Sequence, residues 1–374
     1  MQGLANMRLL AKAGVPVVVV DKNDCIARHS KYCQDFYLCP EFIEDDFAEF
    51  LLQLAKKKNL NGWLLLPSND HAVNTLSRHQ PELQDTFKML IPPLSVFATI
   101  YDKSRLLGLA QSLGIPTPKT DYFICTKPVS IDLNFPVITK GKLGLTFYKK
   151  VGKKAILSKN EKQLLQDLMA LARVIGLSDT FSQEVIPYDG SNKTVSFTAF
   201  SVDGEIKTYW MGVKLREHPL QFGTATFCES VHKQECLEYS RQLLQALFYT
   251  GVCEIEFMRD PRDGLFKLIE INARTWLWVG LAAACGVNYP LFIYNHVNGL
   301  PNDFPATYQV GIRWRNFWTD TIFSFLAIFK GKLRILDYLQ SVHGDGLIDA
   351  VRDKEDPRPF WMMTKMLFKL AKKR

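Results

Sequence analysis

The first seventy positions switch between a helical repeat and solid apolar runs. Between residues 3 and 14 the positions Leu4, Met7, Leu10 and Ala11 recur at helical spacing, and Gly14 ends the repeat. A fully apolar run from Val15 to Val20 follows and stops at Asp21, the pattern of a parallel strand buried on both faces. A second helical stretch, Asp46 to Lys58, leads to the apolar run Trp63 to Pro67 and then to Ser68-Asn69-Asp70, which reads as a helix cap. This order predicts an open parallel α/β sheet. Such a sheet normally starts with a strand and a Gly-rich turn, whereas this chain starts on the helix, so its first sheet is expected to be truncated.

Ile91-Pro92-Pro93 breaks the pattern. Beyond it Tyr101-Asp102-Lys103 opens a helix with Leu106, Leu107, Ala110 and Leu113 apolar, closed by Gly114 to Pro118. Phe135 to Lys142 is a short strand that delivers Lys140 beside Gly141, and Phe181 to Gly190 is a strand running into a turn. The alternating runs Thr194 to Val202 and Lys207 to Lys214 read as an antiparallel meander, with Lys214 and Arg216 on one face. Three units are expected, at 1–92, 93–299 and 300–374.

The stretch with the most chemistry runs from Cys253 to Trp276. Asp260-Pro261 and Asp263-Gly264 are turn dipeptides between two apolar, alternating runs, so the stretch predicts a β-hairpin. Residues two apart share a face. Glu254 and Glu256 therefore point one way and Ile255 and Phe257 the other; Leu268, Glu270 and Asn272 share a face opposite to Ile269 and Ile271. In an even register, with Glu256 opposite Leu268 or Glu270, the acidic and amide groups converge. Two carboxylates and an amide with an open side suit Mg²⁺ carrying a nucleotide phosphate better than a closed calcium cage. A charged hairpin face that is merely wet is commonplace, so the hairpin alone leaves that reading open.

The composition is that of an ordinary globular chain: 374 residues, 47% hydrophobic and 22% charged. Lys plus Arg number 46 against 38 Asp plus Glu, a net +8, which favours anionic ligands but is too diffuse to argue for nucleic acid. The eight cysteines are scattered and no signal-peptide pattern is visible, so a reduced, cytoplasmic setting is the expectation. His29, Cys33 and Cys39 lie close together without a C-x-x-C pair, too little for a zinc site.

Taken together, Glu256 followed by Ile269-Glu270-Ile271-Asn272-Ala273-Arg274 resembles the metal motif of the ATP-grasp superfamily, the fold of biotin carboxylase and of the carbamoyl-phosphate synthetase large subunit. Within it, the chain is most similar to the carboxylate–amine ligases that include D-aspartate ligase, and the resemblance covers about Val15 to Gly299. It implies an α+β chain with a small ATP-binding lobe, a larger antiparallel-sheet lobe and a helical C-terminal extension. It also implies that Lys103 and Lys140 hold phosphates of ATP. Gln183, Glu184, Val185 and Ile186 would meet the adenine edge, and Asp189 the ribose. Glu256, Glu270 and Asn272 would ligate Mg²⁺ (or Mn²⁺), while Arg274, Arg216 and Lys214 stand near the transferred phosphoryl and acyl phosphate. The sequence departs from the family at its glycine loop, here only Gly141-Lys142-Leu143-Gly144, so phosphate cover falls to Lys142 and Thr146 or to another loop shape. No general base stands out; His218 reads more readily as a structural residue.

The expected activity is Mg-ATP-dependent activation of a small carboxylate for capture by an amine. Carboxyphosphate chemistry of the biotin-carboxylase or carbamoyl-phosphate-synthetase kind is the alternative, together with a non-catalytic ATP-binding regulator. After the hairpin, Trp276 to Cys285 is an apolar helix whose tryptophans either line an acceptor pocket or, the stronger reading, pack in the core. Phe317 to Phe329 is aromatic but too short and broken to span a bilayer. Phe360 to Arg374 is apolar with a basic end, and either lies on an anionic membrane surface or docks on the core. Partners are thus a small carboxylate and an amine, no nucleic acid, with a peripheral membrane contact and an oligomer left open.

Overall fold

The fold is taken from a computed structural model that describes residues 1–123, 131–190, 192–218 and 223–372. The N-terminal part comprises α1 (Gln2–Lys12), β1 (Val17–Asp21), β2 (Cys33–Leu38), α2 (Asp46–Lys58), β3 (Leu64–Leu65), α3 (Asp70–Arg78), α4 (Gln80–Leu83) and β4 (Lys88–Met89). Leu4, Met7 and Leu10 are buried on one side of α1, as their spacing predicts. Asn69 caps α3 by accepting from the Ala72 N–H at 2.9 Å. The strands are parallel as expected, but among the described residues they form two separate pairs, β1–β2 and β3–β4. The valines of β1 are half-buried, not covered on both faces. The core of this part gathers instead under α2 and α3, around Leu51, Ala55 and Leu76.

Next come α5 (Leu94–Tyr101), α6 (Lys103–Ser112), β5 (Thr120–Asp121), β6 (Val137–Gly141), α7 (Gly144–Val151), β7 (Ile156–Ser158), α8 (Glu161–Leu171) and β8 (Thr180–Glu184). The strands make a four-stranded sheet in the order β5-β8-β6-β7, backed by Phe147, Leu164 and Leu168. Gly141 ends β6 where the Phe147 ring lies so close that a Cβ would collide with it. The glycine after Lys140 is therefore required by packing.

The large lobe holds β9 (Thr194–Val202), β10 (Glu205–His218), β11 (Thr224–Ser230), α9 (Gln234–Ala246), β12 (Gly251–Arg259), β13 (Phe266–Asn272), α10 (Val279–Ala284) and α11 (Tyr289–Val297). The chain ends with β14 (Arg313–Arg315), α12 (Phe317–Phe329), α13 (Ile335–Val342), β15 (Leu347–Asp349) and α14 (Arg358–Lys372). One seven-stranded sheet runs β13-β12-β9-β10-β11-β14-β15, so strands from beyond residue 300 complete it. Its pairs are antiparallel except β14–β15.

Alternation divides this sheet. Phe197, Met211, Ile255, Phe257 and Leu268 face a core shared with Phe97, Leu106 and Leu243 of α5, α6 and α9. The other face is apolar at one end, where Phe200, Trp210 and Val252 meet α1, α10 and α11. At its other end the same face carries Ser196, Glu254 and Glu256. Tyr289 marks the border by bonding the Thr198 hydroxyl and carbonyl. Trp276 and Trp278 are buried, with Trp276 stacked on Trp210 at 6.0 Å, so they pack in the core.

The last helix is docked along one side only. Pro359 is buried, Phe360 packs on Phe317 and Trp318, and the Trp318 indole donates to Thr364 at 2.9 Å. Trp361 and Phe368 are exposed. Lys373 and Arg374, part of the predicted basic end, lie outside the described residues. Among the described residues no helix is long and apolar enough to cross a membrane.

Candidate functional site

The hairpin β12–β13 pairs in the even register. Glu256 lies across from Glu270 and Glu254 across from Asn272, with Ile255 opposite Ile271. A register shift after Glu256 leaves those pairs in place but sets Leu268 opposite Phe257. Leu268 therefore does not share the face of Glu270 and Asn272, as its spacing led us to expect; it turns into the core with Ile271. Three carboxylates gathered on one surface need positive charge, and the rest of the molecule supplies it.

Lys214, on β10, donates to Glu256 at 2.8 Å. Burial works against its charge but is outweighed by Glu256 and Glu254, so its pKa rises. Lys103 arrives from a different element. Asp102 caps α6 by accepting from the Ser104 and Arg105 N–H groups, which holds Lys103 at the first helical position. Its N–H donates to the Lys142 carbonyl, tying α6 to the loop after β6, and its ammonium donates to Glu270 at 2.9 Å. The field of Lys103 in turn holds the Glu270 carboxylate below the usual range.

Lys140 projects from the small sheet with Gln183 Oε1 at 3.5 Å. Burial pushes its pKa down to about 8, helped by the like charge of Lys103. Lys140 on the small sheet and Lys103 on α6 thus approach the carboxylates of the large sheet, which carries its own cation in Lys214.

Glu254 and Asn272 form the deeper part. Ser196 donates to Glu254 at 2.8 Å, Asn272 donates to Glu254 at 3.1 Å, and Arg274 donates to the Asn272 oxygen at 3.1 Å. Arg274 also reaches Asp70, the first residue of α3, at 2.8 Å. Burial, then the charge of Glu256, raises the pKa of Glu254. The relay Ser196–Glu254–Asn272–Arg274–Asp70 fixes the amide and guanidinium in place and joins the large sheet to the N-terminal part.

The expected pairing of Lys214 with Arg216 fails. The ladder opposes Lys214 to Cys228 and Arg216 to the adjacent Phe227, so a bulge breaks the alternation between them. Arg216 is committed to Asp320 on α12 through two bonds of 2.7 Å, to Ser341 at 2.8 Å, and to the Phe227 ring. The two cations therefore serve different partners. His218 stacks on Phe323, the structural role its isolation suggested.

On β8 the Gln183 amide donates to Thr120, and the Glu184 carboxylate is held by Arg262 at 2.6 Å and by the Asn134 N–H at 2.8 Å. The Val185 N–H is taken by the Pro136 carbonyl, while Ile186 is buried. Asp189 and Asn192 exchange hydrogen bonds across a turn. Thr146 lines a cleft of about 440 Å³ with Tyr101, Asp102, Arg105 and Lys149, between α5, the start of α6 and α7.

Three contributors escape a reading of the chain by pattern. Glu254 was visible as a face-mate of Glu256, but its bond to Asn272 was not. Asp70 looked like part of a cap, and its contact with Arg274 spans 204 positions. Arg262 sat in what read as a plain turn.

Among the described residues no group of three or more His, Cys, Asp and Glu is arranged to hold a metal by itself. Glu256 and Glu270 nevertheless face each other, and each is already balanced by one ammonium. Two carboxylates and an amide oxygen form a hard-oxygen donor set of the kind that Mg²⁺ takes.

No protein-family model matches the chain. It is similar to D-aspartate ligase of Enterococcus faecium (strain Aus0004), with 24% identity over 68% of this chain and 64% of the relative. The chain thus spans just under two thirds of that enzyme's length. Among solved structures it resembles L-amino acid ligase from Bacillus licheniformis with a TM-score of 0.59, 15% identity, and 78% and 70% of the two chains covered. It also resembles the biotin carboxylase domain of Hydrogenobacter thermophilus 2-oxoglutarate carboxylase, solved with MgADP, ADP and bicarbonate. There the TM-score is 0.62 and the identity 15%, with 83% and 71% covered.

Proposed function

We propose that this chain, which has the ATP-grasp fold, is an ADP-forming ligase that activates a small carboxylate with ATP and passes the acyl group to an amine. Lys103 and Lys140 bind the α- and β-phosphates from the small-lobe side. The end of β8, Gln183 to Ile186, meets the adenine edge; with the Val185 N–H already bonded, Ile186 offers the backbone donor. Asp189 stands toward the ribose. Glu256, Glu270 and the Asn272 oxygen would hold Mg²⁺, which when bound would supply the positive charge that neutralises the triphosphate. In the free enzyme Lys103 and Lys214 provide that balance to the carboxylates.

A carboxylate oxygen of the substrate attacks the γ-phosphorus and the bond to the β-phosphate oxygen breaks, giving an acyl phosphate and ADP. The amine nitrogen then adds to the acyl carbon, phosphate leaves, and the nitrogen sheds a proton. Arg274, held by Asn272 and Asp70, is the cation for the acyl phosphate and the tetrahedral oxyanion. Lys214 steadies the γ-phosphate. Arg216, committed to Asp320, acts by anchoring α12. Holding both substrates between the lobes supplies the orientation.

The observation that carries this reading is the register that sets Glu256 against Glu270 while Lys103, from a separate element, reaches the same pair. The test is ADP release from Mg-ATP across amino acids and small carboxylates, with and without amines, beside Glu270→Ala. Release that depends on a carboxylate and disappears in Glu270→Ala supports the ligase. ATP binding without turnover on a broad panel favours a regulator, and absence of ATP binding removes the nucleotide assignment.

A further inference from the structure

The C-terminal helices present the reverse of an ordinary surface. In α12 the buried side chains are polar: Asp320 is fully buried against Arg216 and Thr226, and Ser324 lies one turn on. Ile322, Phe325, Leu326 and Phe329 recur at i, i+3, i+4 and i+7 and are exposed, Phe329 by 87%. Helix α13 folds back on α12, with Tyr338 against Phe325 and Thr321, and leaves Leu336 exposed. The turn between the two helices carries Lys330, Lys332 and Arg334, all exposed, against one exposed acid on the pair of helices, Asp337 of α13.

Helix α14 repeats the theme beside α12. Trp361 and Phe368 are exposed together with Lys365 and Lys369, and no acid follows Asp356 in the chain. Isolated exposed apolar residues need no explanation, but a helical stripe bordered by a strong excess of cations does.

We propose that the α12–α13 hairpin and the outer face of α14 form a docking surface for an anionic lipid bilayer. The apolar stripe enters the acyl boundary, the basic turn meets the phosphate headgroups, and Trp361 sits at the interface. At 13 residues α12 is far too short to span, so it lies in the plane of the surface. The charge pattern selects this occupant. A second copy of the chain would bring the same excess of cations, Lys330, Lys332, Arg334, Lys365 and Lys369, against the single exposed acid of these helices, Asp337, whereas anionic headgroups complement them. The inference stands on the C-terminal helices alone and does not depend on the ligase reading.

The test is co-sedimentation of the full chain with phosphatidylcholine vesicles, with and without about one third phosphatidylglycerol. The wild type is expected to bind the anionic vesicles, more weakly as salt rises. Lys330→Gln, Lys332→Gln and Arg334→Gln combined should weaken binding about a hundredfold. Phe329→Ser with Leu336→Ser should weaken it about tenfold while leaving the melting temperature and Mg-ATP affinity in place. Hydrogen exchange of the unaltered protein should slow over residues 322–339 when anionic vesicles are added. No vesicle binding by the wild type, or binding unaffected by both variants, overturns the proposal. So does a concentration-dependent dimer in analytical ultracentrifugation that Phe329→Ser with Leu336→Ser abolishes without changing vesicle binding.

Discussion

The carboxylate face of the large sheet and the layer of helices beyond residue 316 break the inside–outside rule in opposite senses. On the sheet, Glu254, Glu256 and Lys214 are withdrawn from water. On the helices, Phe325, Phe329 and Leu336 are left in it. Withdrawing charge is costly unless the groups find partners: here Lys103 pairs with Glu270, Lys214 with Glu256 and Arg274 with Asp70, while Glu254 accepts from Ser196 and Asn272. Leaving apolar area exposed forgoes stabilisation of about 25 cal/mol per Å². Stability alone explains neither choice, and both regions are where function is proposed. The join between them is the Arg216–Asp320 pair, whose arginine comes from the same strand as Lys214.

The sharpest way to break the comparison is Glu270→Ala. If the buried charges serve chemistry, carboxylate-dependent ADP release falls on the order of a thousandfold while the protein stays folded, since Lys103 retains the field of Glu256 and Asp70. Steady-state kinetics with a circular-dichroism melt checks both halves. A folded variant with unchanged turnover would make this face structural.

Asp320→Ala comes next and should act on stability. It strands Arg216 against a buried surface, a loss of about 3–5 kcal/mol. Chemical denaturation reads that loss, and turnover per folded molecule should change far less than in Glu270→Ala.

Lys140 sharpens the electrostatics. Its pKa lies near 8, below the ordinary lysine value of 10.5. Between those limits the unfolded chain binds more protons, so this group makes the free protein more stable as pH rises through that window. Nucleotide affinity should move the other way, weakening above pH 8 as the ammonium discharges. The lost charge-assisted bond is worth about 1.5–3 kcal/mol. Calorimetry in buffers of different ionisation enthalpy should show proton uptake on binding near pH 9, and Lys140→Met should remove it. Flat affinity up to pH 10 would take Lys140 out of the phosphate site.

The smallest effect belongs to the exposed layer. Phe329→Ser should alter stability by no more than about 0.5 kcal/mol, because the ring leaves no buried contact. A loss of several kcal/mol would show that the ring is covered in the native protein.

Much of the site was legible in advance because strand alternation is rigid. Once Glu254, Ile255, Glu256 and Phe257 were placed on a strand, their faces followed, as did those of Glu270 and Asn272. The capping of the helix that starts at Lys103 was legible for a similar reason, since Asp102 satisfies N–H groups two and three residues away. The same rule misled at Lys214 and Arg216, because a bulge adds one residue and hands alternation over to the partner strand. It also overstated the first strand, whose valines imply two covers that the described residues do not provide.

By itself, then, the sequence determined which main elements form and, where no bulge intervenes, which side chains share a face, because both follow from local periods and from turn and cap chemistry. At Lys214/Arg216 and at Leu268 a bulge decided otherwise. The tertiary structure decided which charges meet. Glu270 and Lys103 lie 167 positions apart, and Arg274 and Asp70 lie 204 apart. Such contacts depend on how lobes pack, which local propensity does not encode. The outward turn of α12 was settled at that level too: its helical stripe was written in the sequence, but only the buried Arg216–Asp320 pair put its polar side inward.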